Sequence, residues 1–366
     1  MQAIVIGAGV VGSGLAFRLA QAGAQVTVLE RSGPVGGTTG STFAWINSNQ
    51  KTPEDYFALN LAGMQAHLAL RDELGEAPWL LGGGNLIWFP PGPEADDLER
   101  NTQRLLDWNY NAVWIDRQQV AELEPGLRLE EDVERVAYFP DEQPVDAPVL
   151  TRRLLDIARR LGVTVRYGCE VSSFQREGDR ITGVVLPNGE RIHADIVINC
   201  AGPAAGRIAR LAGRELPMAN TLGLIVRVSG VPASCMPQRV IHAPRIHIRP
   251  EGDGLLVLHH GHADDAVTNG DPVGPLADEF VSLGHDYLAE LRNYDVRVSR
   301  WSIGTRPIPA DGRTSAGPVS ARPGYAEIVT HSGVTLSPLL AKLVARQLLH
   351  DEIDPLLAAF SPDRFA

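Results

Sequence analysis

"AIVIGAGVVGSGLAFRLAQAGAQVTVLER" spans Ala3–Arg31, and its reading decides the fold. Ala3-Ile4-Val5-Ile6 is a short β-branched run, long enough for one buried parallel strand. Gly7, Gly9 and Gly12 follow with the spacing G-x-G-x-x-G, and Val10 to Gln21 reads as a helix closed by Gly23. A second strand, Val26 to Leu29, ends on Glu30. In a phosphate-binding βαβ unit the first glycine permits the tight turn and the second lets the backbone approach a pyrophosphate. The third allows close helix–strand packing, while the helix N-terminus supplies N–H groups and a positive dipole end. Glu30 sits where a carboxylate can accept hydrogen bonds from a ribose diol. A lone G-x-G-x-x-G also fits an ordinary βα turn; the strand before it, the helix after it and the acid at the expected distance favour the dinucleotide. The glutamate favours an unphosphorylated ribose, so FAD or NAD over NADP. This stretch alone leaves those two open.

The chain has 366 residues, 44% of them hydrophobic, which supports a large core split over two domains. A net charge of −11 argues against nucleic acid or an anionic membrane as the main partner. Met1 leads straight into the first strand, so no signal peptide is expected, and no apolar run approaches transmembrane length. Cys169, Cys200 and Cys235 are odd in number and form no C-x-x-C pair, which argues against a disulfide framework and for a cytoplasmic, reduced protein. Lys51 and Lys342 are the only lysines.

Past Glu30, the loop Arg31–Thr42 is rich in Gly and Thr, a composition that lets a chain wrap a ligand closely. Thr52-Pro53-Glu54-Asp55 reads as a helix start with a threonine N-cap, and the helix should run to about Leu74, with Gly75 beyond it. "LLGGGNLIWFP" is a loop and then a strand. Glu94–Trp108 and Arg117–Leu123 are amphipathic helices, and the turn-rich "RVAYFPDEQPVDAP" looks like a domain crossing. Asp146 caps a helix Val149–Leu161, followed by strands Val163–Tyr167 and Val171–Phe174 and a hairpin, Ile181–Leu186 with Arg191–His193, about Asn188-Gly189. "ADIVINCAG", Ala194–Gly202, is a buried strand entering a glycine turn. Between 218 and 300 strands Leu222–Val228, Arg245–Arg249 and Leu255–His259 precede a helix near Leu276–Leu291, a mainly β region. The order implies a nucleotide domain (1–80, 142–217 and 301–366) interrupted twice by a second domain (81–141 and 218–300).

A second glycine turn, His331-Ser332-Gly333-Val334-Thr335-Leu336, leads a strand into the last helix. The amides at that helix start lack intrahelical partners, and the dipole is equivalent to roughly half a positive charge. A reduced flavin gathers negative charge at its pyrimidine edge and gains from such a feature; a pyridine nucleotide has no comparable need. The turn therefore favours FAD.

Four blocks together resemble the D-amino-acid oxidase superfamily of FAD enzymes, nearest its glycine oxidase and sarcosine oxidase branches. They are the N-terminal fingerprint with "LER", the loop "GGTTGSTFAWIN", "ADIVINCAG", and "GTRPIPADGRTSAGPV" with "HSGVTLSPLL". The resemblance spans nearly the whole chain, weakest between about 218 and 300. It implies an α/β fold: a Rossmann-like, glutathione-reductase-like FAD-binding domain interleaved with a mainly antiparallel β substrate domain. It also implies oxidation of an amine by hydride transfer to FAD, with oxygen or another electron acceptor. Sarcosine-oxidase-like members attach flavin through a cysteine before the final glycine turn. None lies between Gly304 and Gly317 here, so the FAD is expected to be non-covalent.

Carried onto this chain, the cofactor contacts implied are Gly7, Gly9, Val10, Val11 and Gly12 at the fingerprint, and Glu30 and Arg31 after the second strand. Thr38, Thr39, Ser41, Thr42 and Ala44 follow in the loop, with Val171 and then Cys200, Ala201 and Gly202 at the third strand. Gly304, Arg306, Ser332, Gly333, Val334, Thr335 and Leu336 complete the set. For chemistry, Arg306 leads: a guanidinium holds a carboxylate bidentately, and the arginine of the similar G-x-R-P block does so in glycine oxidase-like members. The bland reading is a surface ion pair with Asp311. His331 stands where those members carry an arginine; charged it binds a carboxylate, neutral it accepts an ammonium proton. Asn47 and Lys51 follow the flavin loop, where a lysine could steady superoxide-like charge. His259-His260-x-His262 is not read as a metal site, since alternation on a strand splits the three between its faces and no carboxylate or cysteine triad frames them. Trp45, Trp88 and Tyr287 could wall a pocket but suit core packing better.

The favoured function is an FAD-dependent oxidase or dehydrogenase acting on the C–N bond of an amino acid or N-substituted amino acid. One alternative is an aromatic-ring hydroxylase, which shares the βαβ unit but needs NAD(P)H and a late Gly-Asp block that "RPIPADGRTSAGP" matches poorly. The other is a non-catalytic FAD-binding subunit of a dehydrogenase complex.

Overall fold

The computed structural model describes residues 1–365. The β-branched strand Gln2–Ile6 lies inside a six-stranded sheet, between Gln25–Glu30 on one side and Ile196–Asn199 on the other, both parallel to it. Thr164–Tyr167 and Tyr325–Val329 extend the sheet in parallel, and Ser315–Pro318 closes it antiparallel. Alternation sorts the two faces. Ala3, Val5, Val26 and Val28 face the helices Val10–Gln21, Ala147–Arg160 and Gly333–His350, while Ile4, Ile6, Leu29 and Val197 face the small antiparallel sheet Ser173–Glu177, Arg180–Val185, Arg191–His193. Both faces are therefore covered. Leu15 and Leu19 of the first helix are fully buried, each worth roughly 1.5–3 kcal/mol relative to exposure.

A second sheet has eight strands, in the order Arg297–Arg306, Thr221–Ser229, Leu255–His259, His247–Glu251, Val240–His242, Asn85–Ile87, Arg135–Phe139 and Val113–Asp116. All neighbours are antiparallel except Val240–His242 with Asn85–Ile87. Its outer face, with Leu224, Val226, Leu256 and Leu258, packs on the helix Val273–Tyr287 through Phe280 and Leu283. The inner face turns to the first sheet and is unusual for its polar content: His242, His247, Arg249 and His259 share it with Val240 and Val257. A two-stranded ladder, Trp45–Ile46 with Gln143–Pro144, joins the two units.

Several expectations need correction. The long helix begins at Glu54 and is preceded by Pro53 with no side-chain cap, so Thr52 does not cap it; extended backbone at Pro53 moves the start one residue on. "RVAYFPDEQPVDAP" is not merely a crossing, because Arg135–Phe139 and Gln143–Pro144 both pair within sheets. Residues 171–174 enter a strand only at Ser173, and the strand expected at Arg245–Arg249 runs over His247–Glu251. The histidine triplet is not one strand. His259 ends the strand, while His260 caps the helix Gly261–Thr268 and brings its Nδ1 within 2.7 Å of His262 Nδ1, so His260 and His262 meet at the helix start.

Candidate active site

The ends of the strands Gln2–Ile6, Gln25–Glu30 and Ile196–Asn199 open into a cavity of about 360 Å³. Gly7 begins its floor with φ +104°, and a Cβ there would stand 2.4 Å from the Cys200 carbonyl oxygen. A Cβ on Gly12 would come within 2.0 Å of the Gly7 carbonyl oxygen, so this glycine sets the helix against the strand. Gly9 has ordinary backbone (φ −72°) and only the Thr39 hydroxyl near, at 3.2 Å, and it lines the cavity itself. A Cβ at Gly9 would intrude on the ligand space rather than on the protein. This cradle, opened by a helix N-terminus, fits a pyrophosphate.

Glu30 lines the next part of the cavity with Arg31 and Val171. Its two oxygens accept the Ala8 N–H (2.9 Å) and the Ser32 N–H (2.8 Å), which fixes the carboxylate and leaves lone pairs for a ribose diol. Replacing Glu30 by Ala should weaken FAD binding about 10- to 100-fold, since charged hydrogen bonds are worth roughly 1.5–3 kcal/mol. Titration of the deflavinated protein with FAD measures it, and an unchanged affinity would make the acid purely structural.

The small-residue loop closes over the cavity as its composition suggested. Thr39 Oγ1 accepts the Val10 N–H (3.1 Å), and the Thr38 hydroxyl donates to the Thr305 carbonyl (2.6 Å). A Cβ on Gly304 would meet the Ser41 carbonyl oxygen at 2.4 Å, so only glycine lets strand and loop approach this closely. Buried Arg249 holds the loop from the second sheet, donating to the carbonyls of Phe43 and Thr42.

At the far end the last helix starts at Gly333, and Gly333, Val334 and His331 line the cavity. The turn is braced from behind: Tyr56 shares a hydrogen bond with the Ser332 hydroxyl (2.9 Å), and His67 Nε2 donates to the Val334 carbonyl (2.9 Å). His331 is exposed, on the wall of the cavity; desolvation, then the charges of Lys51 and Arg306, pull its imidazole down to about 4, so it is neutral at pH 7. Burial also lowers the Lys51 ammonium, against the opposing pull of Glu142. Among the described residues Lys51 has no ion-pair partner, in contrast to Arg306.

Arg306 is not the free fork the sequence suggested. Its guanidinium lies across Gly223, where a Cβ would collide with it at 2.6 Å. One terminal nitrogen donates to Asp264 (2.6 Å) and lies 3.1 Å from His259 Nε2, and the other donates to the Leu222 carbonyl (2.5 Å). Nor is Asp311 its partner, since that acid pairs with Arg364. Asp264 is closer because the helix Gly261–Thr268 folds back beside the strand that ends in Arg306.

Of the residues singled out for FAD, the cavity wall holds Gly7, Gly9, Val10, Val11, Glu30 and Arg31, then Thr38, Thr39, Ser41 and Thr42. It also holds Val171, Cys200, Ala201 and Gly202, and lastly Gly304, Gly333 and Val334. Gly12, Ala44, Arg306, Ser332, Thr335 and Leu336 are not in that wall: Ala44 through its carbonyl holds Val145, Arg306 is turned to Asp264, Thr335 donates to the Trp45 carbonyl, and Leu336 is in the core. Asn47 is buried, its amide donating to the Trp45 carbonyl and its Oδ1 without a protein partner. Trp88 and Tyr287 both donate to Glu130, far into the outer core, whereas Trp45 sits at the site against His242, with ring centroids 4.8 Å apart. Sequence reasoning missed Glu142, Arg249, Asp264 and His242; only the alternation in "HIRPE", which puts polar side chains on a buried face, signalled any of them.

A dinucleotide cradle, a ribose-directed acid, and a second helix N-terminus at the other end of one cavity fit an extended FAD. The FAD dependent oxidoreductase model of the DAO family matches residues 2–347, and the chain belongs to that family. A glycine oxidase of Pseudomonas aeruginosa is 27% identical over 382 residues, 98% of each chain. A D-amino acid dehydrogenase of Xanthobacter autotrophicus is 28% identical over 275 residues; the match covers 60% of this chain and 64% of that protein, under two thirds of its length. Among solved structures, L-amino acid deaminase from Proteus vulgaris with its specific insertion sequence deleted superposes with a TM-score of 0.86 at 19% identity, over 99% of this chain and 93% of that one, a likeness of fold. Among the described residues no helix is long and apolar enough to cross a membrane.

Proposed function

We propose that the protein oxidises the C–N bond of an amino acid or N-substituted amino acid, amine to imine. The observation that carries this reading is a neutral imidazole, His331, on the cavity wall where the last helix begins, with Lys51 near enough for its charge to act on that ring. FAD, held by the cradle of Gly7, Gly9 and Gly12, by Glu30 and by the helix start at Gly333, would supply the two-electron acceptor for the Cα hydride, and the N–H proton would leave to solvent as the C=N bond forms. Neutral His331 accepts a hydrogen bond from the substrate nitrogen and favours the free amine, whose lone pair the reaction requires. Lys51 draws the substrate carboxylate. Arg306, neutralised by Asp264 and held by His259, shapes this end as a fixed dipole more than as a free charge. The names of the relatives, a glycine oxidase and a D-amino acid dehydrogenase, support an amino-acid substrate for this chain as well. The absence of cysteine between Gly304 and Gly317 supports a dissociable FAD.

The test is anaerobic mixing of the holoenzyme with a panel of amino acids and N-methyl amino acids while the flavin band is followed. Bleaching by at least one of them, with keto acid released on hydrolysis of the imine, is expected. A flavin that dithionite reduces but no member of the panel does would overturn the proposal. Reoxidation by oxygen against an artificial dye then separates oxidase from dehydrogenase.

A further inference from the structure

Glu142 is a fully buried carboxyl to which the reaction above gives no part. Four side chains from separate stretches of the chain converge on it. The Tyr110 hydroxyl reaches Oε1 (2.7 Å), and Trp45 Nε1 (3.0 Å), Asn49 Nδ2 (3.0 Å) and Asn85 Nδ2 (2.8 Å) donate to Oε2. Trp45 and Asn49 bracket Asn47 and lead to Lys51, so this one carboxyl fastens the segment that carries two candidate site residues. Its reach extends further. Asn85 spends its amide on Glu142, so its Oδ1 must accept from His242 Nδ1 (2.7 Å). That places the His242 proton on Nδ1 and leaves Nε2 a bare acceptor, in a ring 4.8 Å from Trp45 and 4.4 Å from His247.

The charged and titratable groups facing Glu142 are few. Lys51 comes from the 45–51 segment, Tyr110 from the stretch before the outermost strand, and His242 from the sheet through Asn85; Asp141, its chain neighbour, acts on the Tyr110 phenol. We propose that Glu142 is a positioning residue for the site, holding Trp45, Asn49 and Asn85 in place, setting the His242 tautomer, and supplying the negative charge that offsets Lys51.

The geometry serves both charge states of Glu142. Tyr110 also accepts the Ser48 N–H (3.2 Å) and lies 3.4 Å from Met64 Sδ. With Glu142 ionised, Tyr110 donates to it. With a proton on Oε1, Tyr110 accepts that proton's hydrogen bond and turns its own hydrogen to the sulfur. The three bonds at Oε2 persist either way. Burial pushes the carboxyl up to about 7, against the four hydrogen bonds that pull it down. Below that pH Lys51 faces a neutral carboxyl; above it, a carboxylate. The field at the flavin end of the cavity therefore changes near neutrality, whichever amine is the substrate.

The experiment follows two signals of the holoenzyme from pH 5.5 to 9.5: tryptophan emission, taken as the difference from a Trp45→Phe variant, and the visible absorption band of bound FAD. Wild type should show one transition near pH 7 in both. Glu142→Gln, which keeps the shape and can serve the same partners, should be flat in both. Tyr110→Phe removes a charged hydrogen bond worth roughly 1.5–3 kcal/mol, and so should move the midpoint up by about one to two pH units. That variant decides the matter should Glu142→Gln fail to fold. A transition that survives in Glu142→Gln, or an unmoved midpoint in Tyr110→Phe, overturns the proposal. A flavin band indifferent to pH in wild type reduces Glu142 to a purely structural role and also overturns it.

Discussion

Gly12→Ala should leave little folded, FAD-loaded protein, whereas Gly9→Ala should fold normally and lose only the cofactor. The two glycines belong to one motif, yet they answer to different neighbours. A methyl on Gly12 points at the Gly7 carbonyl oxygen, 2.0 Å away, with Val5 Cγ1 at 3.3 Å behind it. Backbone cannot rotate aside as a side chain can, so the helix Val10–Gln21 must lift from the strand Gln2–Ile6. That helix also packs on Ala147–Arg160 and on Gly333–His350, so lifting it disturbs both ends of the cavity. Overpacking costs typically 1–3 kcal/mol and sometimes more; against rigid backbone about 3 kcal/mol is the expected loss. A methyl on Gly9 meets only the Thr39 hydroxyl at 3.2 Å and otherwise enters the cavity. Its melting temperature without FAD should match wild type within a degree or two, while FAD affinity falls at least tenfold. Thermal melts with and without FAD read both effects. Equal destabilisation of the two variants without cofactor would show that Gly9 is also a packing glycine and that the cradle is misassigned.

What could be read from the chain was local. Gly7, Gly9, Gly12 and Glu30 lie within one βαβ unit, and their spacing reports directly on a turn, a packing distance and a carboxylate beyond the strand. The turn at Gly333 was legible for the same reason. The substrate end was not, because register assembles it. His242 faces His247, and His247 faces His259, only because three strands pair in one alignment. Arg306 meets Asp264 because a short helix returns to the sheet edge, whereas Asp311, five residues away in sequence and the partner of the alternative reading, pairs with Arg364. Glu142 sat in a turn-rich stretch that looked like a domain crossing. Four donors from distant segments make it interior, and no period of the sequence announces them.

Acid should destabilise the protein through its buried histidines, and His67→Gln should remove one share of that loss. His67 is fully buried, its Nε2–H donating to the Val334 carbonyl and its Nδ1 without a partner. Desolvation carries its imidazole down to about 4, from 6.5 in an unfolded chain. Between those values the unfolded state binds the extra proton, so stability is fully present above pH 6.5 and drains as pH falls toward 4. From pH 7.5 to 4.5 this one group gives up about 3 kcal/mol, at roughly 1.36 kcal/mol per pH unit. His242, pulled to about 3 by burial and by the neighbouring His259 and His260, acts in the same direction, as does His247. Glu142 acts oppositely. Its folded value, about 7, lies above its unfolded one, so acidification from 7 toward 4.5 returns stability and offsets about one histidine. The wild-type curve alone is therefore a difference of like terms, and the variant is the sharper test. Glutamine at position 67 can keep the bond to Val334 but cannot titrate. Urea unfolding at pH 7.5 and 4.5 should show wild type losing about 3 kcal/mol more than His67→Gln across that interval. Parallel losses in the two proteins would mean that His67 is protonated in the folded state at pH 4.5, and that the brace behind the Gly333 turn opens to water before the rest of the fold.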